Sequence, residues 1–428
     1  MTIQLTQHPE RVPLHNEVHA RPPEPMVAPL AIAHLVMFTD AEGRAASRQH
    51  LAALLRNHHI APPDEHTTHL RAELGSFRLR WELHTEFVSW TFAAPLRGEV
   101  TPSAPLASAI EQVPQDWLAA LPGQCLSSLD MWVLPGQPDG GIRGGHHMLR
   151  ADALAGSAVA DGKAQVFTDF AIHPNGFSRI LLHAGDLPPR RLGRLVQRLL
   201  EIETYRMAAM LGLPAARRAS AELASAESEL AALARAIQSA EHHEEARLLD
   251  RLTRLAAQVE SEYAATHSRF SASTAYFELI DQRIAQINES PLEGLQTIGE
   301  FIERRVTPAR KTCEWAAHRQ DALSRRVSRI SNLLRTRVEI EQQHGSQALL
   351  EALNKRQDIQ LRLQATVEGL SVAAITYYVV GLVSYLAKAG QGLGWPLSGE
   401  TTAALAIPLV AGSVWWSLRR MHRKLFTH

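Results

Sequence analysis

The chain has almost no cysteine: Cys125 and Cys313 are the only two in 428 residues, far apart and outside any CxxC spacing. That excludes a disulfide scaffold and a thiolate zinc site, and it fits a reducing compartment. Charge of one sign is also lacking, since Lys+Arg and Asp+Glu stand at 44 each. No net field draws such a chain to nucleic acid, which is therefore not an expected partner, and no acidic surplus marks a solvating tail. The first thirty residues hold no apolar core behind a basic start, so no signal peptide is expected and the N-terminus is expected in the cytoplasm. Glycine and proline are missing altogether from Ala215 to Ser290, from Ala309 to His344 and from Ser346 to Glu368. Breakers are absent where helices run.

They are abundant elsewhere. Sixteen of the 23 prolines and 14 of the 21 histidines precede residue 188, the punctuation of a mixed domain of short elements. An apolar run from Ala28 to Phe38 predicts a buried strand, and Leu51, Leu54 and Leu55 predict a helix over Glu42–Asn57. Phe77, Leu79, Trp81 and Leu83 alternate with Arg78, Arg80 and Glu82, the period of two that buries one face of a strand. Phe87–Phe92 returns beside it, and Met131–Leu134, His147–Leu154 and Ala164–Ile172 read as further strands, the last entered through the turn pair Asp161-Gly162. Phe177–His183 is expected to close the sheet. Residues 1–187 thus form an α/β or α+β domain.

Residues 188–369 read as a stalk of long helices, with stripes at Leu192, Leu195 and Leu199, at Leu223, Leu230 and Leu233, and at Leu248, Leu252 and Leu255. Glu241–Glu245 suits a hairpin tip, and its acidic and histidine side chains suit either a solvated turn or a sensor of cations or protons. A shorter helix over Leu295–Val306 is expected to stop at Thr307-Pro308, where a new helix with Leu323, Val327, Ile330 and Leu334 on one face begins. Residues 370–418 predict a transmembrane hairpin. Leu370–Ala387 holds no charge, Thr401–Leu418 is a second candidate span, and Tyr385, Trp395, Trp415 and Trp416 sit at their ends. Arg419, Arg420, Arg423 and Lys424 form a basic tail, residues 419–428, and Lys355, Arg356 and Arg362 precede the first span. The positive-inside bias puts both termini in the cytoplasm, with a bacterial inner membrane as the expected location.

Several segments resemble the bacterial membrane-anchored family catalogued as domain of unknown function 3422. They are His15-Asn16-Glu17-Val18-His19-Ala20-Arg21-Pro22-Pro23, the stretch WELHTEFVSWTF from Trp81 to Phe92, Thr168-Asp169-Phe170 with His173-Pro174 and Gly176–Arg179, Glu201–Arg206, Arg269–Ala272 and Gln364–Ser371. The resemblance implies a membrane-anchored protein and names no substrate. In layout alone the chain is similar to the CorA-type divalent-cation channels, which implies a homo-oligomer, a pentamer in those channels, and a role in ion transport. Their Gly-x-Asn filter is missing, because residues 388–395 read KAGQGLGW.

His15, Glu17 and His19 share one face of an extended segment and suit a ligand or a divalent cation; a salt-bridged proline-rich arm is the plainer alternative. His146-His147 offers titratable rings in a glycine-rich loop, and Asp169, Arg179 and Asp186 are plausible polar partners in the sheet. Ser371, Tyr377, Gly381 and Ser384 form a small-residue stripe in the first span that suits either a pore lining or close helix packing. No nucleophile and base constellation is visible, so no enzymatic activity is expected. A scaffold or regulatory protein that binds a ligand or partner at a membrane is the alternative to a channel.

Overall fold

The computed structural model describes residues 6–12, 14–15, 22–96, 106–136, 148–240, 244–391 and 396–425. By internal contacts it divides into two units, Met1–Ser331 and Asn332–His428.

The first unit is built on a nine-stranded sheet. Its strands are β1 (Leu30–Phe38), β2 (His69–Glu73), β3 (Arg78–Leu83), β4 (Phe87–Pro95), β5 (Gln124–Leu134), β6 (Ala155–Val159), β7 (Ala164–Thr168), β8 (Ser178–His183) and β9 (Ser290–Pro291). They are ordered β2-β3-β4-β1-β5-β8-β7-β6-β9, and every named pair is antiparallel except β5 with β8. The N-terminal region is therefore a mixed sheet. Helix α1 (Ala41–Asn57) begins at Asp40, whose carboxylate accepts the Gly43 N–H at 2.9 Å, a side-chain N-cap. It covers one face with Leu51 and Leu55 against Trp81, Trp90, Phe92 and Trp132, aided by a 3₁₀ turn (Ala109–Gln112) and the short α2 (Gln115–Ala119). The other face, with Ile32, Met131, Val166 and Leu182, packs on α3 (Pro189–Met210) and on Phe277 and Ile280 of α5 (Glu245–Ile287).

Four expectations are corrected. The strand expected over His147–Leu154 is absent from its described residues 148–154: residues 151–153 form a 3₁₀ turn, the Asp169 carboxylate takes the Arg150 N–H at 2.8 Å, and the Arg179 guanidinium takes the Met148 carbonyl at 2.8 Å. Side chains satisfy backbone groups that a strand would have paired. β7 stops at Thr168, because Asp169 Oδ1 accepts the Ala171 N–H at 3.1 Å and Phe170 adopts φ 51°, turning the chain out of the sheet. β8 lies inside the sheet instead of closing it, bonded to β5 on one side and β7 on the other. The helix expected to stop at Thr307 does not: α6 runs from Ile298 to Gln391 through Pro308. Proline removes one N–H from the ladder, while Val306, Ala309 and Cys313 around it stay buried and hold the helix together.

α4 (Gly212–Ser239), α5 and the first part of α6 pack together through Leu223, Leu230, Leu252, Leu255, Leu323 and Val327. A side chain at Gly212 would meet Ser273 Oγ at 2.6 Å and Cys313 Sγ at 3.0 Å, so glycine is what lets these three helices approach. Cys125 and Cys313 are both free.

The second unit holds the rest of α6 and α7 (Gly399–Leu425). The apolar end of α6 contains an 18-residue window of mean hydropathy 1.8 that is 6% buried, long and apolar enough to cross a membrane. Within and beside it Leu370 and Tyr377 are 75% and 77% exposed.

Candidate functional site

The polar alternates of the sheet do not face water. Arg78, Arg80 and Glu82 of β3, Ser89 and Thr91 of β4 and His34 of β1 point to the α3 side, where Gln197, Leu200, Glu201, Thr204 and Tyr205 cover them. Pairing aligns them in rows, with Arg80 opposite Thr91 and Thr91 opposite His34. A cleft of about 260 Å³ remains between the layers, edged by Glu24 and Met26 from the arm before β1 and by Arg283 from α5. Its volume lies just below the ~300–1,000 Å³ typical of drug-sized ligand sites, which suits a smaller metabolite.

His34 lies at its floor, 5% exposed. Its Nδ1 is 2.8 Å from Thr91 Oγ1 and its Nε2 3.0 Å from Thr204 Oγ1. The Thr204 hydroxyl already donates to the Leu200 carbonyl at 2.9 Å, so it can only accept from the ring. This assigns the proton to Nε2 and makes Nδ1 the acceptor of the Thr91 hydroxyl. Burial holds the imidazole down at about 4, well below its ordinary value, with Glu82 opposing and Arg80 and His84 assisting. At neutral pH the ring is uncharged and both nitrogens are engaged. It is a fixed polar floor and not a base.

Three ion pairs ring that floor. Arg80 meets Glu82 at 2.7 Å with both side chains 12% exposed, Arg78 meets Glu24, and Arg283 meets Glu201, whose other contact is Gln197 Nε2 at 2.8 Å. Three guanidinium groups against three carboxylates leave the lining neutral in sum yet dense in oriented donors and acceptors. The hydroxyls of Ser89, Thr91 and Thr204 also line the cleft, with Ser89 Oγ 3.5 Å from His84 Nε2. The arrangement can bind and orient a polar molecule.

A second polar group lies near the β5–β8 pairing. Asp130 accepts from Ser108 and from Asn175 at 3.3 Å, and burial raises its carboxyl to about 6, with those two bonds and Arg179 opposing. Nearby, Asp169 meets His173 Nε2 at 2.8 Å. These contacts tie the 148–153 and 169–177 segments to the sheet.

The residues singled out from sequence fare unevenly. His15 lies in an exposed helical turn, while Glu17 and His19 fall outside the described residues, as do His146 and His147 and residues 241–243. Among the described residues no three His, Cys, Asp or Glu side chains stand grouped to hold a metal. Asp169 and Arg179 are placed as above, and Asp186 is exposed. Ser371, Tyr377, Gly381 and Ser384 all lie on α6; the Ser371 hydroxyl bonds its own helix at Val367 O, 2.8 Å away, and among the described residues no atom lies within 4 Å of where a Cβ on Gly381 would stand. Arg419 and Arg420 of α7 stack over Trp415 at 4.8 Å and Trp416 at 5.0 Å. Arg423 and Lys424 are helical residues of α7.

Sequence reasoning missed His34, Thr91 and Thr204 as a group. A signal was present in the segments Trp81–Phe92 and Glu201–Arg206, which supply opposite walls of the cleft.

A family model described as "Protein of unknown function (DUF3422)" matches residues 6–425. No curated protein matches the chain. No solved structure matches it either, and the CorA-type layout finds no support in these comparisons.

Proposed function

Because the chain belongs to the DUF3422 family, whose description carries no activity, we propose its function from its own geometry: a membrane-anchored protein that binds a small polar ligand in the His34 cleft. One observation carries this reading, the burial of a neutral, doubly bonded imidazole beneath three ion pairs in a space that is not filled. Buried charges are expensive and are ordinarily paired to completion. Here each guanidinium, with five N–H donors, meets its carboxylate at the edge of an open cleft, where spare donors and acceptors can take up a molecule carrying both kinds of group.

A panel of free amino acids and dipeptides tests this on the full chain in detergent. A cognate member at a hundred times its Kd adds about 2.7 kcal/mol of stability by mass action, read as a raised melting temperature. Ala93→Phe, which projects a ring from β4 into the cleft, abolishes the shift while the variant itself still melts cooperatively. A shift that persists in Ala93→Phe contradicts the assignment.

The anchor in this reading is a hairpin of two spans, residues 370–387 of α6 and 401–418 of α7, with both flanks cytoplasmic. The uncharged α6 segment and the Arg419–Trp415 and Arg420–Trp416 stacks at the end of α7 support it. The protein is expected to stay in the membrane pellet after alkaline carbonate, and a reporter fused after His428 is expected to be active only in the cytoplasm. Carbonate release contradicts the anchor. An ion-channel role requires a homo-oligomer, since two spans per chain enclose no conduit. The particle mass in detergent decides that: a monomer ends the channel reading and leaves the binding protein.

A further inference from the structure

A second cleft, of about 460 Å³, adjoins the first and, unlike that neutral lining, is cationic. His84 and Tyr205 line both. Among the described residues no acidic side chain lines the second, while Arg44 and Arg48, one turn apart on α1, face into it half-buried. Arg44 Nη1 donates to the Thr85 carbonyl at 2.6 Å and Arg48 Nε to the Thr67 carbonyl at 3.3 Å. Among the described residues neither guanidinium meets a carboxylate, so two cations stand with most of their donors unspent. Glu86, between the lining residues Thr85 and Phe87, is committed elsewhere: its Oε2 accepts from Arg269 at 2.8 Å and from the Tyr276 hydroxyl at 3.1 Å.

The opposite wall is aromatic. The His84 ring stacks on Phe87 with centroids 4.3 Å apart, and Tyr205 stacks on Tyr276 at 5.8 Å with planes 17° apart. Paired arginines are the geometry that takes a carboxylate or phosphate through parallel N–H bonds, and an aromatic wall takes a flat ring. Arg44 and Arg48 are already propped by backbone carbonyls, so an anion finds their heads positioned.

We propose that this cleft binds a planar aromatic or heteroaromatic anion, its carboxylate or phosphate held by Arg44 and Arg48 and its ring laid against the His84, Tyr205 and Tyr276 wall. The two clefts share His84 and Tyr205, but each has lining residues of its own through which it can be blocked separately.

Anthranilate, a fluorescent aromatic carboxylate, is the probe, titrated against the full chain in detergent and followed by polarisation. Saturable binding is expected, competed by adenosine monophosphate, which offers a ring and a phosphate, and at least tenfold less well by inorganic phosphate, which offers no ring. Arg44→Gln and Arg48→Gln are each expected to weaken binding tenfold or more. Both arginines also hold backbone carbonyls, so Leu279→Trp serves as a second variant: it fills the cleft from α5, leaves both arginines in place and is expected to abolish binding. Ala93→Phe, which blocks only the other cleft, is expected to leave anthranilate affinity within twofold. The proposal is overturned by non-saturable binding, by inorganic phosphate competing as well as the nucleotide, or by full affinity in Leu279→Trp.

Discussion

Replacing His34 with glutamine is expected to turn a nearly flat response to mild acid into a gain in stability on acidification. Burial holds the folded imidazole at about 4 against an ordinary 6.5, so the unfolded chain takes up a proton that the folded chain refuses. Stability from this group is complete above pH 6.5 and is lost as pH falls towards 4, by about 3 kcal/mol at roughly 1.4 kcal/mol per pH unit of separation. Asp130 works the other way. Its folded carboxyl keeps a proton up to about pH 6 while an unfolded aspartate releases it near 3.8, so its contribution is present in acid and lost as pH rises. That is again about 3 kcal/mol. Between pH 4 and 6 the two slopes largely cancel. His34→Gln, whose amide can accept from Thr91 and donate to Thr204, leaves Asp130 alone and gains stability on acidification. Asp130→Asn leaves His34 alone and loses about 3 kcal/mol more than the parent between pH 7 and pH 4. Urea denaturation followed by tryptophan fluorescence, with Trp81 and Trp90 buried in the same sheet, reads both. Parallel pH profiles for the parent and both variants would show that neither group is held as described.

Gly193→Ala is expected to strip the arm from the cleft. The added Cβ would stand 1.7 Å from the Glu24 carbonyl oxygen and 2.8 Å from its carbon, both backbone atoms that no side-chain rotation can move. The arm must leave or α3 must shift. Leaving exposes Met26, now 6% exposed, breaks its N–H bond to the Pro189 carbonyl at 3.0 Å, and separates Glu24 from Arg78. The cost is about 2–4 kcal/mol, the range of overpacking combined with a lost apolar anchor. Hydrogen exchange at the Met26 amide accelerates by at least a hundredfold, and the amino-acid and dipeptide panel loses its effect. Unchanged protection of that amide would mean the contact is slack.

Much of the scaffold was legible because it rests on local periodicity. The alternation through Phe77, Leu79, Trp81 and Leu83 marks β3, and Asp161-Gly162 marks the turn between β6 and β7, where Ala160, Asp161 and Gly162 all adopt positive φ. What failed depended on distant partners. Apolar residues around Leu149 suggest a strand, but the backbone there is claimed by the side chains of Asp169 and Arg179. Pro308 reads as a stop, but packing around Cys313 carries α6 through it.

The candidate sites were less legible still. His34 sits in an apolar run, and nothing local says that Thr204, 170 residues on, will cap it. Arg78, Arg80 and Glu82 read as a solvated strand face until α3 is seen to cover them. Arg44 and Arg48 look like ordinary surface charges on a helix; only the tertiary fold sets them opposite Tyr205 and Tyr276 with no acid between. The candidate membrane span is the reverse case. An uncharged run at 370–387 is legible without any fold, because the bilayer judges length and composition alone.

The claim that the covered face of the sheet is a binding site is tested most directly by hydrogen exchange on the full chain, with and without the stabilising member of the amino-acid and dipeptide panel. Added protection is predicted in 24–34, 78–93 and 196–205, the three stretches that enclose His34, and no change along 332–391. Protection confined to other segments, or none at a saturating concentration, would contradict it.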